Sequence, residues 1–124
     1  MSKPVELPVT QIRTSIGRAL AGCVHDDLDL SLRQIAILFA LHEKPEVSVR
    51  PLAAFLGLNN PAVSRGIERL VQLGLVTRQE DPEDRRRVIL DLAQPGLQYT
   101  YQMTMRFSIE LHRAATEQEV AHAV

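Results

Sequence analysis

The sequence has no tryptophan and a single cysteine, Cys23, among 124 residues. A lone thiol excludes an internal disulfide framework and any all-cysteine metal site within one chain. The four histidines, His25, His42, His112 and His122, show no HExxH-like spacing with the acids, so no metal site is expected. No apolar run approaches the roughly 18 residues that a membrane-spanning helix needs. The opening MSKPVELPVT also lacks a basic head followed by an apolar stretch, so the expectation is a cytoplasmic protein with no membrane role. Glycine loops of the GxGxxG and GxxxxGK kinds are missing, as is the GxSxG nucleophile turn. Nothing in the sequence marks an enzyme or a cofactor.

What remains is an ordinary globular composition, 45% hydrophobic and 23% charged, which argues against disorder and suits one domain with one core. A net charge of -1 is poor for a nucleic-acid binder, but the distribution is uneven. Arginines 50, 65, 69, 78, 85, 86 and 87 stand between residues 47 and 92 against six acids, so this middle segment is net positive. Where those arginines stand matters more than their sum.

Helical spacing places Ile12, Ile16, Ala19 and Cys23 on one stripe of a helix from about Pro8 to His25, with Arg13 and Arg18 off it. Ser31 and Gln34 have the form of a capping box before a second helix, Leu32 to about His42. Its run IAILFALH is apolar nearly all round, as a central buried helix requires. Pro45 ends it. A short third helix follows, with Ser48 as its cap, Pro51 in its first turn and Gly57 as its left-handed stop. The spacing predicts a fourth helix capped by Asn60, with Pro61 at its first position, Val63, Ile67, Leu70 and Val71 inward, and Gly74 at its end. Ala62, Ser64, Arg65, Glu68 and Arg69 then face outward or sideways.

Two helices joined only by Gly57-Leu58-Asn59 must cross steeply, which makes a helix-turn-helix. Small and hydrogen-bonding residues at the start of the second suit close approach to base-pair edges. VTRQE and RVILDL then read as two strands, since Val88, Leu90 and Leu92 alternate with Arg87, Ile89 and Asp91. DPEDRR becomes the hairpin tip, its acids and proline making the turn and its arginines beginning the return strand. Arginines carried on a protruding tip reach a minor groove beside the helix in the major groove. The plainer alternative is a charge-balanced solvated loop.

From about Gln94 a long helix runs to the C-terminus. Met103, Phe107, Leu111 and Ala114 lie along one side, Tyr101, Met105 and Ile109 on nearly the opposite one. A helix with two apolar faces needs two partners; dimerisation through it and the first helix is the economical reading, and a stripe-shaped core within the chain is the alternative.

This order resembles the MarR family of winged-helix transcriptional regulators. The likeness runs from about Leu32 to Gly96. It rests on PLAAFLGLNNPAVSRGIERLVQLGLVTRQEDPEDRRRVILDLAQPG, which carries the family's LA-x-x-LG, V-S-R, LV-x-LGLV-x-R and D-x-x-DRR-x-V-x-L-x-L elements in order. The chain departs from the pattern at Asn59-Asn60-Pro61, where a serine-rich entry is usual, and at Ala93, where a threonine usually opens the next helix.

The resemblance implies a mainly α fold with a small β-hairpin wing, a winged helix-turn-helix in which the N- and C-terminal helices form a dimerisation region. Across 1–124 it implies one domain, with 8–30 and 94–124 for dimerisation and 31–93 as the DNA-binding lobe. It also implies a homodimeric regulator, most often a repressor, on double-stranded DNA, with a small aromatic effector and no metal or other cofactor. Asn60, Pro61, Ala62, Ser64, Arg65 and Arg69 would serve the recognition helix, and Asp84, Arg85, Arg86 and Arg87 the wing. In that wing Arg86 enters the minor groove, Asp84 orients it, and Arg85 and Arg87 meet phosphates. Ser48 and Arg50 would touch the DNA backbone, and Ile12, Ile16, Tyr101, Met105 and Ile109 would join two subunits. Some relatives sense organic peroxides through a cysteine of the first helix, which would make Cys23 a redox sensor; a buried thiol is otherwise a small hydrophobe. The reading from a different class is a winged-helix module that docks on another protein without binding DNA.

Overall fold

The computed structural model describes residues 6–24 and 28–123, with side chains through residue 121. The described chain forms α1 (Val9–Cys23), α2 (Leu32–Glu43), α3 (Val49–Leu56), α4 (Asn60–Gln72), β1 (Val76–Glu80), β2 (Val88–Leu92) and α5 (Gln94–Ala123). This is a mainly α architecture with a small β wing. The expected end of the first helix at His25 lies outside the described residues. Two compact units can be distinguished: residues 30–100, and a second unit made of the N-terminal segment to residue 29 with residues 101 onward.

In the unit 30–100, α2 opens with the anticipated capping box. Ser31 Oγ accepts the Gln34 N–H at 3.1 Å, and Gln34 Oε1 accepts the Ser31 N–H at 2.9 Å. Ile37, Leu38 and Leu41 of this helix are fully buried, with Leu52 of α3, Val63, Ile67 and Leu70 of α4 and Leu90 of β2. Each such burial contributes about 1.5–3 kcal/mol. Together these side chains tie the two helices of the helix-turn-helix to α2 and to the wing.

Gly57 closes α3 in the left-handed region at φ 67, as glycine permits. Ser48 occupies the cap position of α3, but its side chain makes no capping hydrogen bond, contrary to expectation. The cap of α4 is also displaced: Asn59, not Asn60, accepts the Ala62 N–H through Oδ1 at 2.8 Å. That places Asn60 at the first helical position and Pro61 at the second. Either position suits proline, because N–H groups of the first turn have no helical partner.

The strands pair antiparallel, with Val76 opposite Leu92 and Glu80 opposite Val88. A link that sequence reading did not anticipate joins them to the loop before α3. The Leu90 N–H donates to the Val47 carbonyl at 2.7 Å, and the Val47 N–H donates to the Leu90 carbonyl at 3.2 Å. The wing root is thereby fastened on its second edge. Its other end is held where the Ala93 N–H donates to the Leu75 carbonyl at 3.0 Å. The first turn of α5 passes so close to Leu75 that a Cβ on Gly96 would collide with that carbonyl oxygen.

In the second unit, α1 lies antiparallel to the later part of α5. Gln11 Nε2 donates to Gln118 Oε1 at 2.6 Å, and the buried Ser15 hydroxyl lies 3.4 Å from the Glu110 carbonyl. Gly22 faces the Arg106 side chain. Ala19, Met103 and Ala114 are buried, whereas the other side of both helices is uncovered.

Candidate nucleic-acid interface

The helix α4 buries Ala62, Val63, Gly66, Ile67 and Leu70 and exposes Asn60, Pro61, Ser64, Arg65, Glu68, Arg69 and Gln72. Ala62 is a correction. Expected to face outward or sideways, it is only 5% exposed. Its burial follows from Gly66, one turn later on the same side, where a Cβ would stand 2.6 Å from Ile37 Cδ1. The missing side chain lets α4 settle onto α2 on that side, which rotates the buried arc away from Val71 and towards Ala62. Val71 is accordingly only half-buried.

At about 100° per residue, Pro61, Glu68 and Gln72 form the middle line of the exposed face. Ser64 lies on one flank, Arg65 and Arg69 on the other. No other described element covers these side chains, which remain exposed within the chain. The helix therefore presents a protruding ridge of small, hydrogen-bonding and basic groups.

The wing tip is built differently from the expectation. Arg85 and Arg86 do not begin the return strand but form the central pair of a turn closed by the Arg87 N–H on the Asp84 carbonyl at 2.9 Å. Asp84 stabilises this turn with its own side chain, whose Oδ1 accepts the Arg86 N–H at 3.1 Å. A second turn-forming carboxylate, Asp81, accepts the Glu83 N–H at 2.9 Å. Strand β2 begins only at Val88 because the Arg86 and Arg87 N–H groups are taken up by these local bonds.

Asp84 Oδ1 stands 3.8 Å from Arg86 Nε, and the Arg86 side chain is 96% exposed. So exposed a pair contributes little to stability. What it does is bias the direction of the guanidinium. Arg85 and Arg87 are exposed beside it. At the start of α3, Arg50 is exposed and Ser48 half-buried.

Between α4 and the wing, opening at the Ser64 side of the exposed face, lies a cavity of about 310 Å³, lined by Val49 of α3, Ser64, Ile67 and Glu68 of α4, and Arg78, Val88 and Leu90 of the wing. Sequence reading counted Arg78 without placing it. Two residues along β1 from the buried Val76, Arg78 shares its face of the strand, pairs with Leu90 and stays exposed beside α4.

In the second unit, the residues expected at a subunit interface lie exposed on the single chain: Ile12, Ile16, Tyr101, Met105 and Ile109; Leu20 and Val120 are exposed as well. Tyr101 reaches 66% exposure and Ile109 52%. Cys23, the last residue of α1, is half-buried and unpaired.

Residues 28–87 match the model of the MarR family. Among curated proteins, the organic hydroperoxide resistance transcriptional regulator of Bacillus subtilis is 30% identical over 71 residues, which is 57% of this chain and 48% of that protein. The chain thus spans about half the length of the curated relatives it matches. RV1404 from Mycobacterium tuberculosis shares the fold with a TM-score of 0.78 at 24% identity, covering 88% of this chain and 74% of that one. A mutant MarR from E. coli, complexed with operator DNA, does so with a TM-score of 0.65 at 23% identity over 88% of this chain and 74% of its own. With its matched segment, its helix-turn-helix and its wing, the chain is similar to the MarR family over residues 28–87 and shares the fold of these solved structures.

Proposed function

We propose that this chain is a sequence-specific regulator of transcription that binds double-stranded DNA as a homodimer, acting as a repressor on a pseudo-palindromic operator. A small aromatic effector, as the family resemblance implies, would release it. One observation carries the reading: a 96%-exposed guanidinium on a turn-stiffened wing stands in the same unit as an uncovered helix face bearing Ser64, Arg65 and Arg69. A helix fits the major groove, and an arginine on a protruding tip fits the narrow minor groove beside it. Operator DNA is the partner of the E. coli MarR structure, which supports the same partner here. Arg50, Arg85 and Arg87 supply phosphate contacts in this reading, and Ser64, Arg65 and Arg69 the base edges.

The test is a gel shift on fragmented genomic DNA at low and high salt, comparing the native chain with Arg85→Ala. Binding should weaken steeply with salt, and the variant should bind all sequences less tightly with a slope smaller by about one. Binding that ignores salt, or its absence, would favour a wing that docks on protein.

A further inference from the structure

Glu68 is the one carboxylate on the exposed face of α4, and it stands on that face's middle line, two helical turns beyond Pro61. Its carboxylate takes part in no ion pair or hydrogen bond among the described residues, although Arg78 lines the same cavity. A free acid at the centre of a surface read as DNA-facing has few favourable contacts. Phosphates on the groove walls repel it. An ionised carboxylate only accepts hydrogen bonds, so the floor of the groove must offer it a donor. The major groove has two, the amino groups of cytosine and adenine. Adenine's amino group lies between two acceptors, its own N7 and the O4 of the paired thymine. Cytosine's has the guanine O6 on one side and only a ring C–H on the other. A carboxylate therefore meets less repulsion over cytosine.

We propose that Glu68 is a specificity-determining residue that selects cytosine at one position of each half-site by accepting from its N4 amino group. The inference rests on the DNA-binding reading above. A dyad repeats the contact, so the two positions are symmetric about the operator centre.

The experiment is selection of bound sequences from a random duplex pool with the native chain, Glu68→Ala and Glu68→Gln. The native chain should enrich a palindrome with a symmetric pair of cytosines, preferred about 5- to 150-fold, the span of one good side-chain to base contact. Glu68→Ala should lose the preference there and keep the remaining letters. Glu68→Gln should shift it towards adenine, because a carboxamide both donates to N7 and accepts from N6. An identical motif from all three proteins would overturn the assignment and leave the DNA-binding reading standing. No enrichment by the native chain would overturn both. Glu68 is exposed, so the variants should melt as the native chain does, which circular dichroism checks.

Discussion

Asn59 and Asn60 pose a choice that residue chemistry alone does not resolve. Both are good helix caps, and the proline that follows is tolerated at the first or the second helical position. The backbone resolves it: the Asn59 side chain accepts the Ala62 N–H. Asn59→Ala should cost about 1 kcal/mol of stability. Asn60→Ala should stay within about 0.5 kcal/mol, as an exposed substitution outside a cap does. Chemical denaturation of the two variants checks this, and the reverse order would show that the cap belongs to Asn60. Ala62 was misread for a related reason. A hydrophobicity pattern gives a glycine no weight, yet Gly66 sets the closest approach of α4 to α2 and so decides which small residues turn inward.

At the level of elements, the helices and strands were legible because their signals are local. The capping box at Ser31, the glycine stop at Gly57 and the alternation in VILDL each involve residues within a few positions of one another. The bridge from Val47 to Leu90 was not legible, since it joins residues far apart in sequence through backbone groups that every residue carries. The turn at Asp84 to Arg87 was missed because strand alternation and side-chain capping by aspartate compete for the same arginines, and the capping prevailed. The seam between the wing and α5 offers a sharp test. Gly96 lies against the Leu75 carbonyl, a backbone atom unable to move aside as a side chain would. Gly96→Ala should lower stability by about 1–3 kcal/mol despite alanine's better helix propensity, seen as a lower melting temperature. An unchanged or higher melting temperature would show that this seam is loose.

For the molecule as a whole, the two-faced character of α5 was readable from spacing: Met103 and Ala114 are buried, and Tyr101, Met105 and Ile109 are bare. What covers the bare side is not written in one chain's pattern, because an apolar stripe looks the same whether its partner is intramolecular or a second copy. If two copies meet there, Ile109→Asp should place a charge in their interface and cost more than about 1 kcal/mol of association. Sedimentation should then show a shift from dimer to monomer with unaltered helicity; a dimer as tight as the native one would place the interface elsewhere. The wing has a further consequence at this scale. Asp81, Glu83 and Asp84 match Arg85, Arg86 and Arg87 charge for charge, so the tip exerts almost no pull on a polyanion beyond contact range. Capture of a duplex would then owe little to long-range attraction, and a wrong sequence, lacking a snug fit, would be let go quickly.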